Sequence, residues 1–73
     1  MTREITPMQS TCLTLAAQGL TAKQAGRELG LSEHTVKDHW HAASIRLGAT
    51  NKAHAVALAM ASGQISAADV EAA

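Results

Sequence analysis

The sequence predicts an all-α fold of four helices, followed by a short fifth helical turn near the C-terminus. The first observation is composition, because sixteen of the 73 residues are alanine and the chain contains no Phe, no Tyr and one Pro. The second is that no stretch alternates apolar and polar residues as a half-buried strand would. The third is punctuation by glycine at positions 19, 30, 48 and 63, which divides the chain into short periodic segments. A chain of this length holds one domain with a thin core.

Hydroxyl residues predict where the helices begin. Thr6 with Gln9 and Thr21 with Gln24 have the spacing of capping boxes, and Pro7 suits the first position of a helix. The residues expected to begin the later helices and the final turn are Ser32, Thr50 and Ser66. The predicted helices cover residues 7–18, 22–29, 33–47 and 51–62, with a short turn at 67–71.

Apolar spacing predicts which side of each helix is buried. The expected core positions are Met8, Cys12, Leu15 and Ala16 in the first helix, Ala25 and Leu29 in the second, and Val36, Trp40, Ala43 and Leu47 in the third. We expect Cys12 to be a packing residue, because no histidine or acid nearby in the sequence could activate its thiol.

The connection between the second and third helices defines the expected architecture. Gly30, Leu31 and Ser32 leave room only for a sharp crossing of two short helices, which is a helix-turn-helix unit. We therefore predict an N-terminal arm at 1–5, a helix-turn-helix domain without a β-wing at 6–62, and a C-terminal tail at 63–73.

Charge and composition exclude several classes of protein. Six basic and six acidic residues balance, although residues 21–54 carry five basic and three acidic side chains. The longest apolar run has seven residues, too few to cross a membrane, and a single cysteine fits a reducing cytoplasm. We find no paired carboxylates, no nucleophile with a base and no phosphate-binding loop, and we therefore predict neither an enzyme nor a cofactor.

A polar face opposite the buried stripe of the third helix carries the candidate binding residues. His34, Lys37, Asp38 and His41 share it, at the spacing that a helix in a DNA major groove requires. Lysine can donate to guanine, and aspartate can accept from cytosine. The alternative is an ordinary solvated face, in which Asp38 pairs with His34 or His41.

A metal site on the same face is a weaker alternative. His34, Asp38 and His41 lie at i, i+4 and i+7 and could converge on one ion. Closed zinc sites usually have four ligands and often include cysteine, so we predict no metal.

Residues 5–59 resemble the DNA-binding domain of the LuxR/GerE family of bacterial regulators. The resemblance rests on the segments Ile5–Pro7, Ala17–Gln24, Leu29–His39, Arg46–Lys52 and Ala55–Val56. A helix-turn-helix of sigma-factor region four is related, but the stretch from Gly48 to Val56 favours the LuxR/GerE type.

The resemblance implies roles for individual residues. It places Lys37, Asp38 and His41 at the bases, and residues 33–47 form the recognition helix. The residues expected at the phosphates are Thr21, Lys23, Thr35 and Lys52. It also implies dimerisation through the fourth helix, where the expected interface residues are Ala55, Leu58, Ala59 and Ser62.

The resulting functional prediction is a small standalone cytoplasmic transcription regulator. We expect it to bind duplex DNA as a homodimer, with half-sites about 10 bp apart, and to repress by occlusion. The alternative is an antagonist that pairs through its fourth helix with another transcription regulator and blocks it.

Overall fold

The computed structural model describes residues 3–71 and confirms the predicted all-α fold. The helices are α1 (Pro7–Ala17), α2 (Ala22–Leu29), α3 (Glu33–Leu47), α4 (Lys52–Ala61) and α5 (Ala67–Glu71). Within the described residues there is no strand, and no helix is long and apolar enough to span a membrane.

The helix starts follow the predicted capping chemistry with one exception. Both capping boxes are present, because Thr6 and Thr21 accept from the N3 backbone amides while the Gln9 and Gln24 side chains accept from the cap amides. The exception is α4, whose cap is Asn51 and not Thr50. The Asn51 amide oxygen accepts from the backbone of His54 at 2.8 Å, which satisfies a first-turn amide that would otherwise lack a partner.

The core forms where α3 packs against α1, α2 and α4. Its buried apolar residues are Cys12, Leu13, Ala22, Ala25, Val36, Trp40, Ala43, Leu47, Ala55, Ala59 and Ile65. The stripe predicted on α3 is therefore confirmed at all four positions. The face predicted for α1 is partly wrong, because Met8 is 42% exposed while Leu13 is fully buried.

A glycine with no room for a side chain shapes the turn between α2 and α3. A Cβ added to Gly26 would collide with the carbonyl oxygen of Leu31, which lies in the turn. The close approach also lets the Leu31 amide donate to the Gly26 carbonyl at 2.8 Å. Gly30 ends α2 in the left-handed conformation with φ of 70°, which glycine adopts without steric cost.

The C-terminal segment belongs to the domain, so the boundary predicted at residue 62 falls too early. Ile65 is buried in the core at 2% exposure. The Gln64 side chain accepts from the Ile5 amide at 2.6 Å and donates to the Arg3 carbonyl at 3.1 Å. These contacts tie the segment after α4 to the chain before α1, and α5 then packs against α1.

Candidate nucleic-acid interface

The first turns of α3 present a polar surface on the side opposite Val36 and Trp40. The exposed fractions of the side chains are 85% for His34, 66% for Asp38 and 61% for Lys37. His41, one turn further along, is also exposed. The four residues predicted to contact bases therefore share one accessible side of the helix, and together with the exposed Glu33 they form the surface that we call the α3 polar face.

Two ion pairs lie side by side on this surface. The Lys37 Nζ atom lies 3.0 Å from Oε2 of Glu33, and the His34 Nε2 atom lies 3.3 Å from Oδ2 of Asp38. The second pair is one of the internal pairings that the sequence left open for Asp38. The pair between Lys37 and Glu33 was not predicted, although a spacing of four residues within one helix could have indicated it.

The charge of the face is slightly negative when its histidines are neutral. Lys37 contributes one positive charge, whereas Glu33 and Asp38 contribute two negative charges. Since DNA phosphates are attracted by excess positive charge, this surface adds little nonspecific attraction by itself. What it offers is an ordered set of donors and acceptors suited to base edges.

Of the four residues predicted at phosphates, three lie at the starts of α2 and α3. The Thr21 hydroxyl caps α2 by accepting from the Gln24 amide at 3.1 Å, and Lys23 is exposed within the first turn. The Thr35 hydroxyl accepts from the Ser32 hydroxyl at 2.9 Å, and both hydroxyls lie in the cap of α3. Both threonine hydroxyls keep a hydrogen that could be donated to an anionic oxygen.

Lys52, the fourth of these residues, lies against Trp40. Its Nζ atom is 4.2 Å from the centroid of the indole ring, within the range of a cation–π contact. Both residues line an open cleft of about 220 Å³ that also includes His41 and Ile45. The predicted burial of Trp40 is confirmed at 7% exposure, and its indole Nε1 donates to the Cys12 carbonyl at 2.7 Å.

Two of the residues predicted for a dimer interface are not accessible. Ala55 and Ala59 are fully buried in the core, so neither can contact a second copy without unpacking the domain. Leu58 is half-buried against the core cluster, and Ser62 is the exposed C-cap of α4. The α4 side chains that do face outward with apolar atoms are Ala53, Ala57, Met60 and Ala61.

The cysteine is buried, and the described residues contain no cluster of metal-ligating side chains. Burial raises the pKa of the Cys12 thiol, which disfavours the thiolate, the nucleophilic form. In residues 3–71 no group of three or more histidine, cysteine, aspartate or glutamate side chains is arranged to hold a metal ion.

Fold and surface together define a class of protein. A short helix, a tight turn and a second helix with an exposed polar face form a helix-turn-helix unit, and such units place their second helix in the major groove of DNA. The chain also matches a family model described as "Bacterial regulatory proteins, luxR family" over residues 3–59. The chain belongs to this family and is a DNA-binding domain of the LuxR type.

Two curated relatives are similar over most of the chain. The transcriptional activator protein BjaR1 of Bradyrhizobium diazoefficiens is 38% identical over 56 residues, which are 77% of this chain and 23% of that protein. The transcriptional activator protein VanR of Vibrio anguillarum is 38% identical over 61 residues, which are 84% of this chain and 25% of that protein. The chain therefore spans about a quarter of the length of these relatives. No solved structure matches the chain.

Proposed function

We propose that this domain binds a specific duplex DNA sequence as a two-fold dimer, with the α3 polar face in the major groove. The observation that carries the proposal is the two-sidedness of α3. Val36 and Trp40 are buried on one side, while His34, Lys37 and Asp38 are exposed to solvent on the other. A helix anchored in this way can enter the groove without any change in the fold.

Each of the four residues predicted to contact bases has a proposed partner in the groove. Lys37 donates to guanine O6 and N7, and Asp38 accepts from the amino group of cytosine. His34 and His41 supply ring nitrogens on either side of them, which can donate or accept according to tautomer. The residues proposed at the phosphates are Thr21, Lys23, Thr35 and Lys52. Contacts of this second kind fix the register of the domain on the duplex.

Dimerisation through α4 would use its outward side. Ala53, Ala57, Met60 and Ala61 are exposed and follow the i, i+4, i+7, i+8 spacing of one helical face. Alanine allows two helices to approach closely. We expect Ala57→Glu to convert a dimer into a monomer in light scattering, whereas Ala68→Glu on α5 leaves the mass unchanged. A dimer that survives Ala57→Glu would place the interface elsewhere.

Duplex binding at two salt concentrations tests the proposed function. Wild-type protein is expected to retain a few genomic fragments, with an affinity that falls steeply as salt rises. Lys37→Ala is expected to lose about 1–3 kcal/mol of specific binding. The control is Arg3→Ala, which removes the same charge beside the C-terminal segment. Equal losses in both variants, or no selected fragment, would contradict the proposal.

Regulation by occlusion in the bacterial cytoplasm extends the same proposal. Occlusion requires no contact beyond those with the DNA itself, whereas both relatives are named transcriptional activators. A reporter with the selected site overlapping its promoter is expected to lose expression when the protein is present. Increased expression from a site placed upstream would instead assign activation.

A second candidate function follows from the charge of the α3 polar face. Glu33 and Asp38 outnumber Lys37, so attraction to phosphates is weak, and the outward side of α4 could pair with another regulator of the family. Such an antagonist would select no DNA fragment in the experiment above. It would instead reduce the DNA binding of a purified full-length LuxR-type regulator in a titration.

A further inference from the structure

Glu33 is the residue of the α3 polar face to which the proposed function gives no role. It is the first residue of α3, where helix-turn-helix proteins bring side chains to the bases. Its carboxylate is half-exposed and contacts the ammonium of Lys37 at 3.0 Å. The cap of α3 does not need it, because Ser32 provides that hydrogen bond.

The ion pair presents a donor beside an acceptor at a distance that matches a base pair. In a G·C pair, guanine O6 accepts from cytosine N4, and such a hydrogen bond joins atoms about 2.9 Å apart. The major-groove edge therefore offers an acceptor on guanine beside a free donor hydrogen on cytosine. Lys37 Nζ and Glu33 Oε2 form the complementary arrangement, at 3.0 Å.

We propose that Glu33 is a specificity-determining residue that reads one G·C pair together with Lys37. The lysine donates to guanine O6 and N7, while the carboxylate accepts from cytosine N4 of the same base pair. This inference rests on the proposed function, since it requires that the α3 polar face enters the major groove.

The weakness of the ion pair and the charge of the groove favour this role over a merely stabilising one. Exposed ion pairs four residues apart in a helix are weak, so the pair can reorient toward bases. A carboxylate in a groove lined by phosphates is repelled unless a base donates to it, and a misplaced base leaves it without a partner. Thymine places a methyl group where guanine places N7, which denies the lysine its second acceptor.

Selection from a random duplex pool tests the inference. Wild-type, Glu33→Gln, Lys37→Met and Glu71→Gln proteins are each used to enrich sequences, and the preference at every position is compared. We expect Glu33→Gln and Lys37→Met to lose their preference for G·C at one and the same position, by about tenfold. Glu71→Gln removes the same charge as Glu33→Gln but lies on α5, and its profile is expected to match wild type.

Helix stability is controlled separately. Thermal unfolding of each variant shows whether the selection was made on folded protein, and a stabilising role alone would not alter base preference. Glu33→Asp is a second variant that keeps an acid in the first turn while withdrawing the carboxylate by one methylene. This variant is expected to weaken the preference for G·C at the same position.

The possible failures are distinguishable. If wild type selects a motif that Glu33→Gln and Glu33→Asp share at every position, the role of Glu33 is overturned while the proposed function stands. If the Glu33 and Lys37 variants lose base preference at different positions, the proposal that the two residues read the same base pair is overturned. If wild type selects no motif, the proposed function fails and this inference fails with it.

Discussion

Cys12 and Trp40 connect α1 to α3 at the centre of the domain. The indole Nε1 donates to the Cys12 carbonyl at 2.7 Å, and the Cys12 side chain is fully buried. Burial disfavours the charged thiolate, which raises the pKa of Cys12 above its ordinary value of 9.0. Cys12 is therefore a packing residue of the core, as predicted, and also a group whose shifted pKa links folding to pH.

This burial predicts how stability depends on pH in alkaline solution. The folded state favours the protonated thiol. The stability that folding gains from this preference is fully present at neutral pH and is lost as pH rises past 9.0, the ordinary pKa. We expect the free energy of unfolding to fall more steeply above about pH 9 in wild type than in Cys12→Ala. Urea titrations across that range measure both slopes, and equal slopes would contradict the prediction.

The helices themselves were predictable from sequence, and their outward faces were less so. Glycines and caps predicted all five elements to within one residue at each end, because a stop or a cap is a local signal. Which side of α4 is buried was not predictable, since alanine occurs on every side of it. The same ambiguity explains why Met8 was predicted to be buried in α1 while Leu13, which is buried, was not predicted. Apolar residues occur on several sides of that helix.

In the helix-turn-helix element, Gly26 allows a prediction of whether its replacement by alanine raises or lowers the free energy of unfolding. Replacing glycine by alanine inside a helix normally stabilises it by about 0.5–1 kcal/mol. At Gly26 the added methyl group would meet the Leu31 carbonyl oxygen, so we expect a loss of about 1–3 kcal/mol instead. Thermal or urea unfolding measures it, and stabilisation by Gly26→Ala would contradict the packing of this turn.

The control for this prediction is Gly63→Ala. Gly63 has φ of 77° and nothing within 4 Å of an added Cβ, so its replacement changes backbone strain alone. Only the Gly26 variant should also disturb the crossing of α2 and α3. Sequence reasoning did not mark Gly26, because a close approach between a helix and the turn that follows it leaves no local pattern.

At the scale of the molecule, the segment after α4 closes the fold. Gln64 bonds to the chain before α1, the Gln18 amide donates to the Asp69 carbonyl at 3.0 Å, and Ile65 enters the core. These contacts join residues about fifty to sixty positions apart. Periodicity within one element cannot reveal such pairings, which explains why the predicted tail is part of the domain.

The burial of Ile65 predicts a large cost for its truncation. Ile65→Ala removes a buried side chain and leaves a cavity, and we expect a loss of about 2–5 kcal/mol. In a small domain that is a large share of the total stability. Ile45→Ala is the matched control, because Ile45 is 66% exposed and its truncation should change unfolding by less than about 0.5 kcal/mol. If both variants lose the same free energy of unfolding in urea titrations, residues 63–71 form a tail and are not part of the folded domain.

The exposed face of α3 was predictable from the sequence, and the pairing of its side chains was less so. His34, Lys37, Asp38 and His41 were identified by their spacing opposite the buried stripe, and all are exposed on one face. The pairing of Lys37 with Glu33 was not predicted from the spacing of the residues. Side-chain pairing depends on rotamers as well as spacing, and several neighbours compete for each charge.

An NMR titration of the labelled protein with a duplex that it selects tests whether the α3 polar face contacts DNA. If the α3 polar face enters the groove, amide shifts should concentrate in residues 33–41 and at the start of α2, while α5 remains unperturbed. Shifts confined to α4 and α5, with residues 33–41 unchanged, would show that the α3 polar face does not enter the groove.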